Sequence, residues 1–597
     1  MHRVLTAARN GVVLSLLLLP VACGIAHERF SSSDAGVFDA RTDEAVDAFV
    51  ADDPSVDVVA APDAFECGAR CAPRPIAPLS SATVTAHQPT LRWELGLESD
   101  GVRVEICRDR AMTTECVVFD AVGDSSRPPS ALAPGLWFWR LQSTWAGIRR
   151  PFVGPTWQMI VRSRELGTDT SWGAMLDTNG DGYADVAVGS PGESEATGAV
   201  YVYLGSEAGV DPSPRTILHG TDGARAGFGG SVAVAGDVNG DGYGDLIVTA
   251  EAADDAAGRV YVYFGTPTGV VEEPTAVLLG DDGAGSLFGH SAAGVGDLNG
   301  DGYGDIAVGA LRAGHVYIYL GGETLPSDAQ FVLSSPDGAA NERVRTVASG
   351  ADVNGDGFGD LIVGASSDTS SAGVVRVYTG AADGLHLSES RTLRAPDGPG
   401  DAFGTSVASD DLDGDGYPEV AVGAYDFNGH MGRVYVFEGT RDGGVAAPSV
   451  VLSDLEPSDT NFGFRLATMN DFDGDGYGEL VVSADTNDAI GCAYLFAGSA
   501  EGIAPDRRRS VLGPDGANGR FGTGLAAAGD VNRDGYFDLV VGAYGHDAQT
   551  GRAYVYPGNA SGTLLPTVVL SGSGPAARFG SSVACVWPRH RAAEGPS

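Results

Sequence analysis

The chain contains no lysine. All 37 of its Lys-plus-Arg positions are arginine, and 79 Asp and Glu residues outnumber them, for a formal net charge of −42. That balance excludes nucleic acid as a partner, because phosphates would be repelled over most of the surface. The missing lysine most simply reflects a GC-rich coding bias. Collagen is excluded too, since the 87 glycines follow no three-residue period. There is no Gly-x-Ser-x-Gly, no His-Glu-x-x-His and no phosphate-cradling glycine loop. The 10 histidines are scattered without an acid or nucleophile beside them in a recognisable constellation. These absences argue against an enzyme. At 597 residues, the chain still requires several domains or one large closed repeat array.

The first residues read as an export signal over 1–22. Arg3 and Arg9 form a basic start, Val12–Leu19 an apolar core too short for a comfortable membrane span, and Ala22-Cys23-Gly24 a processing site. Leu19-Pro20-Val21-Ala22-Cys23 resembles a bacterial lipobox, with Pro20 departing from the usual leucine. Cys23 is then a lipidated N-terminus at an outer-membrane or cell-surface location. Plain secretion is the alternative. Residues 23–73 form an acidic tether, in which Asp34, Asp39, Asp43, Glu44, Asp47, Asp52, Asp53 and Asp57 repel one another. Export favours disulfides, and Cys67 with Cys71 and Cys107 with Cys116 are plausible local pairs. Whether Cys492 and Cys585 meet is left open.

Self-similarity decides the fold. Seven segments fit Asp-x-(Asn/Asp)-x-Asp-Gly-(Tyr/Phe)-x-(Asp/Glu), beginning at Asp177, Asp237, Asp297, Asp352, Asp411, Asp471 and Asp530, at intervals of 60, 60, 55, 59, 60 and 59 residues. Each acidic loop is followed by an apolar run, a polar loop, an alternating strand such as Val260–Phe264, a further apolar run, and then a Phe-Gly pair. Those pairs are Phe228-Gly229, Phe288-Gly289, Phe403-Gly404, Phe462-Gly463 and Phe521-Gly522. Four short strands per repeat, without helical periodicity, describe a propeller blade. The first loop lacks a preceding Phe-Gly, and an unclaimed one stands at Phe579-Gly580. The C-terminal strand should therefore complete the first blade and latch the ring. In the fourth unit, Val344-Arg345 replaces Phe-Gly.

In each loop, oxygens at positions one, three, five and nine converge, and the aromatic position offers its carbonyl. The candidate ligands are Asp177, Asn179, Asp181, Tyr183 and Asp185; Asp237, Asn239, Asp241, Tyr243 and Asp245; Asp297, Asn299, Asp301, Tyr303 and Asp305; Asp352, Asn354, Asp356, Phe358 and Asp360; Asp411, Asp413, Asp415, Tyr417 and Glu419; Asp471, Asp473, Asp475, Tyr477 and Glu479; and Asp530, Asn532, Asp534, Tyr536 and Asp538. Hard oxygen donors in a tight, flexible loop suit Ca²⁺ at about seven sites. An EF-hand would need a bidentate Glu at position twelve and a following helix; valine occupies that position in every loop. The loops hold 23 carboxylates, which repel one another strongly unless neutralised. Calcium here is a structural clasp rather than a catalyst.

The loops, the in-phase Phe-Gly pairs and the Val-Gly-Ala runs at 308–310, 363–365, 422–424 and 541–543 resemble the FG-GAP repeats of the integrin α-chain propeller and its bacterial relatives. The resemblance spans about Gly167 to Trp587. It implies an all-β, seven-bladed propeller over 166–588, with calcium between the first two strands of each blade and partners on the opposite face. On that face, Tyr425, Phe427 and His430, with Tyr544 and His546, are candidate contact residues. Before it, residues 74–164 carry six or seven strand signals and resemble a fibronectin III-like β-sandwich at Pro134–Arg140, read as a spacer. Residues 589–597 form a tail. The expected function is that of a monomeric extracytoplasmic module engaging a protein or polysaccharide in adhesion or surface organisation. A propeller-based enzyme acting on extracellular polysaccharide or lipid, and a purely structural envelope protein, are the alternatives.

Overall fold

The computed structural model describes residues 72–584 apart from 78–81, 85–86, 97–98, 162–170, 173–176, 335–341, 368–372, 399–400, 416, 441–446, 454–458, 476 and 487–488. The leader, Cys23, nearly all of the tether, Cys67, Cys71, Cys585 and the tail lie outside the described residues. The fold is all-β. Among the described residues no helix is long and apolar enough to cross a membrane.

Two sheets come first. One joins Arg74–Ala77, Leu91–Glu94 and Ser125–Ser126. The other runs Ser171–Trp172, Ala82–Val84, Trp157–Val161, Gly135–Trp145, Gly101–Cys107 and Val117–Val122, with Ile148–Val153 paired to Gly135–Trp145. Alternation along Gly101–Cys107 turns Val102, Val104 and Ile106 into a core shared with Trp93, Trp139 and Trp157. Trp139 and Trp157 meet edge to face at 6.0 Å, and burying rings of this size stabilises the unit by roughly 1.5–3 kcal/mol each. Cys107 and Cys116 are disulfide-bonded, as their spacing suggests.

Among the described residues seven further antiparallel sheets follow, all but the first made of strands consecutive in the chain. In the second, Val232–Gly236, Asp245–Ala250, Arg259–Tyr263 and Ala276–Leu278 lie side by side in chain order. The sheets opening with Phe288–Gly296, Glu342–Ala351, Phe403–Asp410 and Phe521–Gly529 repeat this pattern. In the sixth, Asp459–Thr460 and Leu466–Asn470 share the place of the first strand. The first sheet takes Val186–Ser190, Ala199–Tyr203 and Thr216–His219 from the start of the array and Ser582–Ala584 from its end, with Val583 opposite Val188. Second and third strands are buried on both faces, hence their nearly continuous apolar runs. Each innermost strand packs on the next. Ser582–Ala584 touches both Val232–Gly236 and Phe521–Gly529, so the sheets close into a ring. That closure pairs the inner edge of Val186–Ser190.

The Phe-Gly pairs hold neighbouring units together. Each Phe is buried and meets a third-strand tyrosine edge on: Phe288 with Tyr317 at 5.2 Å, and Phe579 with Tyr201 across the seam at 5.4 Å. The Phe backbone lies so close to the preceding sheet that a Cβ on Gly258 would sit 2.0 Å from Phe288 O. Only glycine fits there. In the fourth sheet Val344 fills the Phe position and is fully buried.

Candidate cation loops and the face they leave open

The acidic loops join first to second strands, and their backbone bonds explain the residue pattern. In the second sheet, the Asp237 carboxylate accepts the N–H groups of Asp241 at 3.0 Å and Gly242 at 2.7 Å. Asn239 Oδ1 accepts Asp241 N at 3.0 Å, and Asp241 Oδ1 accepts Tyr243 N at 3.0 Å. Asp245, fully buried, accepts from Val238 N on one oxygen and from Gly265 N on the other, both at 2.9 Å. The second of these bonds recurs for Asp185, Asp305, Asp360 and Asp538 with Gly205, Gly321, Gly380 and Gly558. Position nine therefore staples these five loops to the end of the third strand. A carboxylate oxygen that accepts one N–H keeps a second lone pair for another donor or a cation.

The fifth and sixth loops differ. Position three is Asp and position nine is Glu. Asp411, Asp413 and Glu419, and likewise Asp471, Asp473 and Asp475, bring carboxylate oxygens within 4.8 Å of one another. Glu419 and Glu479 still accept Leu412 N and Phe472 N at 2.7 Å through Oε2. Their Oε1 atoms, and Asp473 Oδ1, are buried without a hydrogen-bond partner. Arg509 and Arg507 pair with Asp473 and Asp475 in the sixth loop, at 3.1 and 3.0 Å.

Burial pushes these acids upward. Asp177, Asp237 and Asp413 are raised to about 6 and Asp185 to about 7. Asp245, Asp305, Asp360, Asp538, Glu419 and Glu479 are driven well above the usual carboxylate range by burial and, behind it, by neighbouring carboxylates. A buried, partnerless carboxylate oxygen costs several kcal/mol, on the order expected for an unpaired charge. The donor set is all oxygen, with no His or Cys. These residues fit a hard divalent cation.

The loops also interlock, which the sequence reading did not anticipate. Gly240, at position four with φ +71°, lies under the Tyr303 ring of the next loop; a Cβ there would come within 2.7 Å of it. The same relation joins Gly180 to Tyr243, Gly300 to Phe358, Gly355 to Tyr417 and Gly474 to Tyr536.

The N-terminal β-unit sits on three of these loops, meeting the second where Leu136 lies against Gly242. Trp157 Nε1 donates to Gly300 O at 3.3 Å, Arg110 to Gly302 O at 3.3 Å, and Arg74 to Asp356 O at 2.7 Å. The Arg110 and Arg74 guanidinium groups lie 4.1 and 4.2 Å from the Tyr303 and Phe358 ring centroids.

The other end of the ring carries short turns with left-handed residues between second and third strands, among them Phe427–His430 and His546–Gln549. Not all the candidate contact residues stand free there. Arg433 lies 3.7 Å from the Phe427 centroid, and His546 pairs with Asp515 at 2.9 Å. Tyr425 meets Phe464 edge on at 5.8 Å. His430, paired to Asp426 at 2.8 Å, stays mostly exposed. Tyr544 opens onto the central cavity.

Residues 170–203, 228–263, 403–437 and 521–556 match the FG-GAP repeat, and 297–363 match an FG-GAP-like repeat. The chain thus carries FG-GAP repeats. Over 142 residues it is 39% identical to integrin alpha-6 of Gallus gallus, covering 23% of this chain and 13% of that protein. Over 195 residues it is 35% identical to integrin alpha-4 of Xenopus laevis, covering 31% and 18%. The chain spans less than a fifth of the length of these curated relatives. Among solved structures, a periplasmic gluconolactonase of Pseudomonas aeruginosa aligns with TM-score 0.43 and 18% identity, covering 67% of this chain and 98% of that one. A likeness that weak carries no functional inference.

Proposed function

We propose that this chain is an extracytoplasmic, calcium-clasped seven-bladed propeller that binds a protein or polysaccharide through the face opposite its acidic loops, and is not an enzyme. The seven successive sheets among the described residues, six of four strands and the sixth of five, closed by Ser582–Ala584, support the blade count. The sheet order Val117–Val122, Gly101–Cys107, Gly135–Trp145, Trp157–Val161 supports a fibronectin III-like spacer. The all-oxygen loops support calcium, and the partnerless Glu419 and Glu479 oxygens suit a cation. Export with Cys23 as a lipid anchor would hold the ring outside the cytoplasm.

One observation carries the reading. The N-terminal unit covers the loop end at Gly300, Gly302 and Asp356, while the opposite end bears exposed turns around a cavity. A ring so built is a rigid platform with one working face. The test is a pull-down against envelope and matrix fractions with calcium and with chelator. Partners should be recovered with calcium, lost on chelation, and reduced when Tyr425, Phe427 and His430 are changed to alanine. Equal recovery in all three conditions would reject it.

A further inference from the structure

At the end opposite the acidic loops, the ring encloses a cavity of about 1010 Å³. Its walls are the starts of first strands and the connections that feed them. In a chain of net charge −42, the basic character of this wall is unexpected. Arg225, Arg345, Arg465, Arg520, Arg578 and His290 line it. Against them stand Glu195 and Glu251, and Glu251 is paired to His290 at 2.7 Å.

The arginines are placed by the fold. Arg520 and Arg578 directly precede Phe521 and Phe579, at a position held in the left-handed region with φ of 53° and 55°. Arg345 exists because the fourth sheet breaks the repeat. Val344 and Thr346 stand opposite Ala365 and Gly364, so one residue fills the bulge that takes Gly404 and Thr405 in the fifth sheet. Three of the side chains are anchored through Nε to neutral oxygens: Arg345 on Ser366 Oγ at 3.0 Å, Arg465 on Thr523 O at 3.3 Å, and Arg578 on Gln549 Oε1 at 3.1 Å. Desolvation within the cavity lowers the Arg465 pKa, although the side chain stays open to solvent.

The rest of the wall is hydroxyl and aromatic. Ser231, Ser291, Thr346 and Thr523 line it. Ser581 Oγ, also in the lining, is buried without a hydrogen-bond partner. Phe464 presents a ring with Arg465 lying 5.0 Å from its centroid, and Tyr544 presents a second.

We propose that this cavity binds the end of a uronic-acid polysaccharide, its carboxylates held by the arginine forks and its hydroxyls by the serine and threonine wall. Guanidinium forks match carboxylates bidentately and strongly. The volume lies at the upper end of the roughly 300–1,000 Å³ typical of small-ligand sites. An acidic peptide is the less fitting occupant, because the serine and threonine hydroxyls among the arginines match the several hydroxyls of a uronic-acid residue, which an acidic side chain lacks. The assignment rests on the binding-module reading above and names its ligand class.

The test is calorimetric titration of the calcium-loaded full chain with tetragalacturonate, its methyl ester and a tetraglutamate peptide, on the parent and on R465Q/R520Q. Tetragalacturonate should bind more weakly as salt rises, and the ester at least about tenfold more weakly, the loss expected when charge-assisted hydrogen bonds are removed. R465Q/R520Q should lose about tenfold or more for the free acid at an unchanged melting temperature. If the double variant folds poorly, the acid-against-ester comparison on the parent decides alone. No binding of tetragalacturonate, equal binding of the ester, or equal or tighter binding of tetraglutamate would overturn the assignment. So would indifference to R465Q/R520Q, which would place the acid on loop-bound calcium instead. If matrix partners were still captured in a calcium-dependent way by R465Q/R520Q, the assignment would fall while the wider reading stood.

Discussion

Arg533 of the seventh loop reaches across the seam to Tyr183 of the first: its guanidinium carbon lies 5.0 Å from the ring centroid, and Nη1 donates to Asp181 O at 3.1 Å. Position four is glycine in the other six loops, and in five of them the next loop's aromatic ring lies on that glycine. At the seam a long side chain replaces that contact.

R533A should therefore loosen the seam first. The expected cost is about 1 kcal/mol, at the low end for a partly exposed cation–π contact with one hydrogen bond. R533G should cost less, because glycine relieves the φ of 55° at this position. Hydrogen exchange at Ser582–Ala584 should rise in both. Unchanged exchange would mean that Arg533 does not hold the closure.

Docking of the N-terminal unit depends on Arg74 and Arg110, which donate to Asp356 O and Gly302 O. R74A/R110A should free that unit while leaving the ring's own unfolding transition in place. Limited proteolysis should separate the N-terminal unit from the ring faster in the double variant. The expected loss is roughly 1–3 kcal/mol for two partly exposed guanidinium contacts. An unchanged cleavage rate would contradict this.

The ring was legible because its determinants are local and repeated. Seven acidic loops in phase and an unclaimed Phe579-Gly580 are enough to place Ser582–Ala584 in the first sheet, and the structure pairs Val583 with Val188 as expected. Cys107 and Cys116 were likewise readable from proximity. The docking of Trp157 on Gly300 was not, since those residues are 143 apart and neither belongs to a recurring contact. The cavity arginines escaped for the same reason. They are spread from 225 to 578, and only Arg520 and Arg578 share a position in the repeat, so the ring rather than the motif brings them together. One signal was present: Arg345 and Arg533 both mark places where the repeat is broken. In the candidate contact patch, Arg433 lies over Phe427 and Asp515 pairs with His546, contacts that the local sequence pattern does not announce.

Glu479 should show opposite effects with and without cation. Its Oε1 is buried and partnerless, and burial with Asp473, Asp471 and Asp475 nearby raises its pKa. In calcium-free buffer E479Q removes an unfavourable charge and should raise the melting temperature. In excess calcium it removes a ligand and should lower it. Each effect is expected to be about 1–3 kcal/mol. Shifts of the same sign in both buffers would contradict the assignment of this residue to a cation site.

Acidity should stabilise the stripped protein. Asp177 and Asp237 are raised to about 6 and Asp185 to about 7. Between the ordinary carboxylate range and those values, the folded chain binds more protons than the unfolded one. Stability without calcium should therefore fall as pH rises from about 4 to 7. Calcium competes with these protons, so its stabilising increment should grow over the same interval. Melting curves of calcium-stripped protein at pH 5 and 7.5 check the sign; a higher melting temperature at 7.5 would be the wrong one.

On the proposed reading, bound divalent ions neutralise the seven acidic turns and hold the sheets in a ring. Elemental analysis of the native protein, paired with melting before and after exhaustive EGTA dialysis, measures this directly. The account predicts about seven calcium ions per chain, one for each acidic loop, and a marked drop in melting temperature once they are removed. A protein that carries no calcium and melts at the same temperature after dialysis would contradict it.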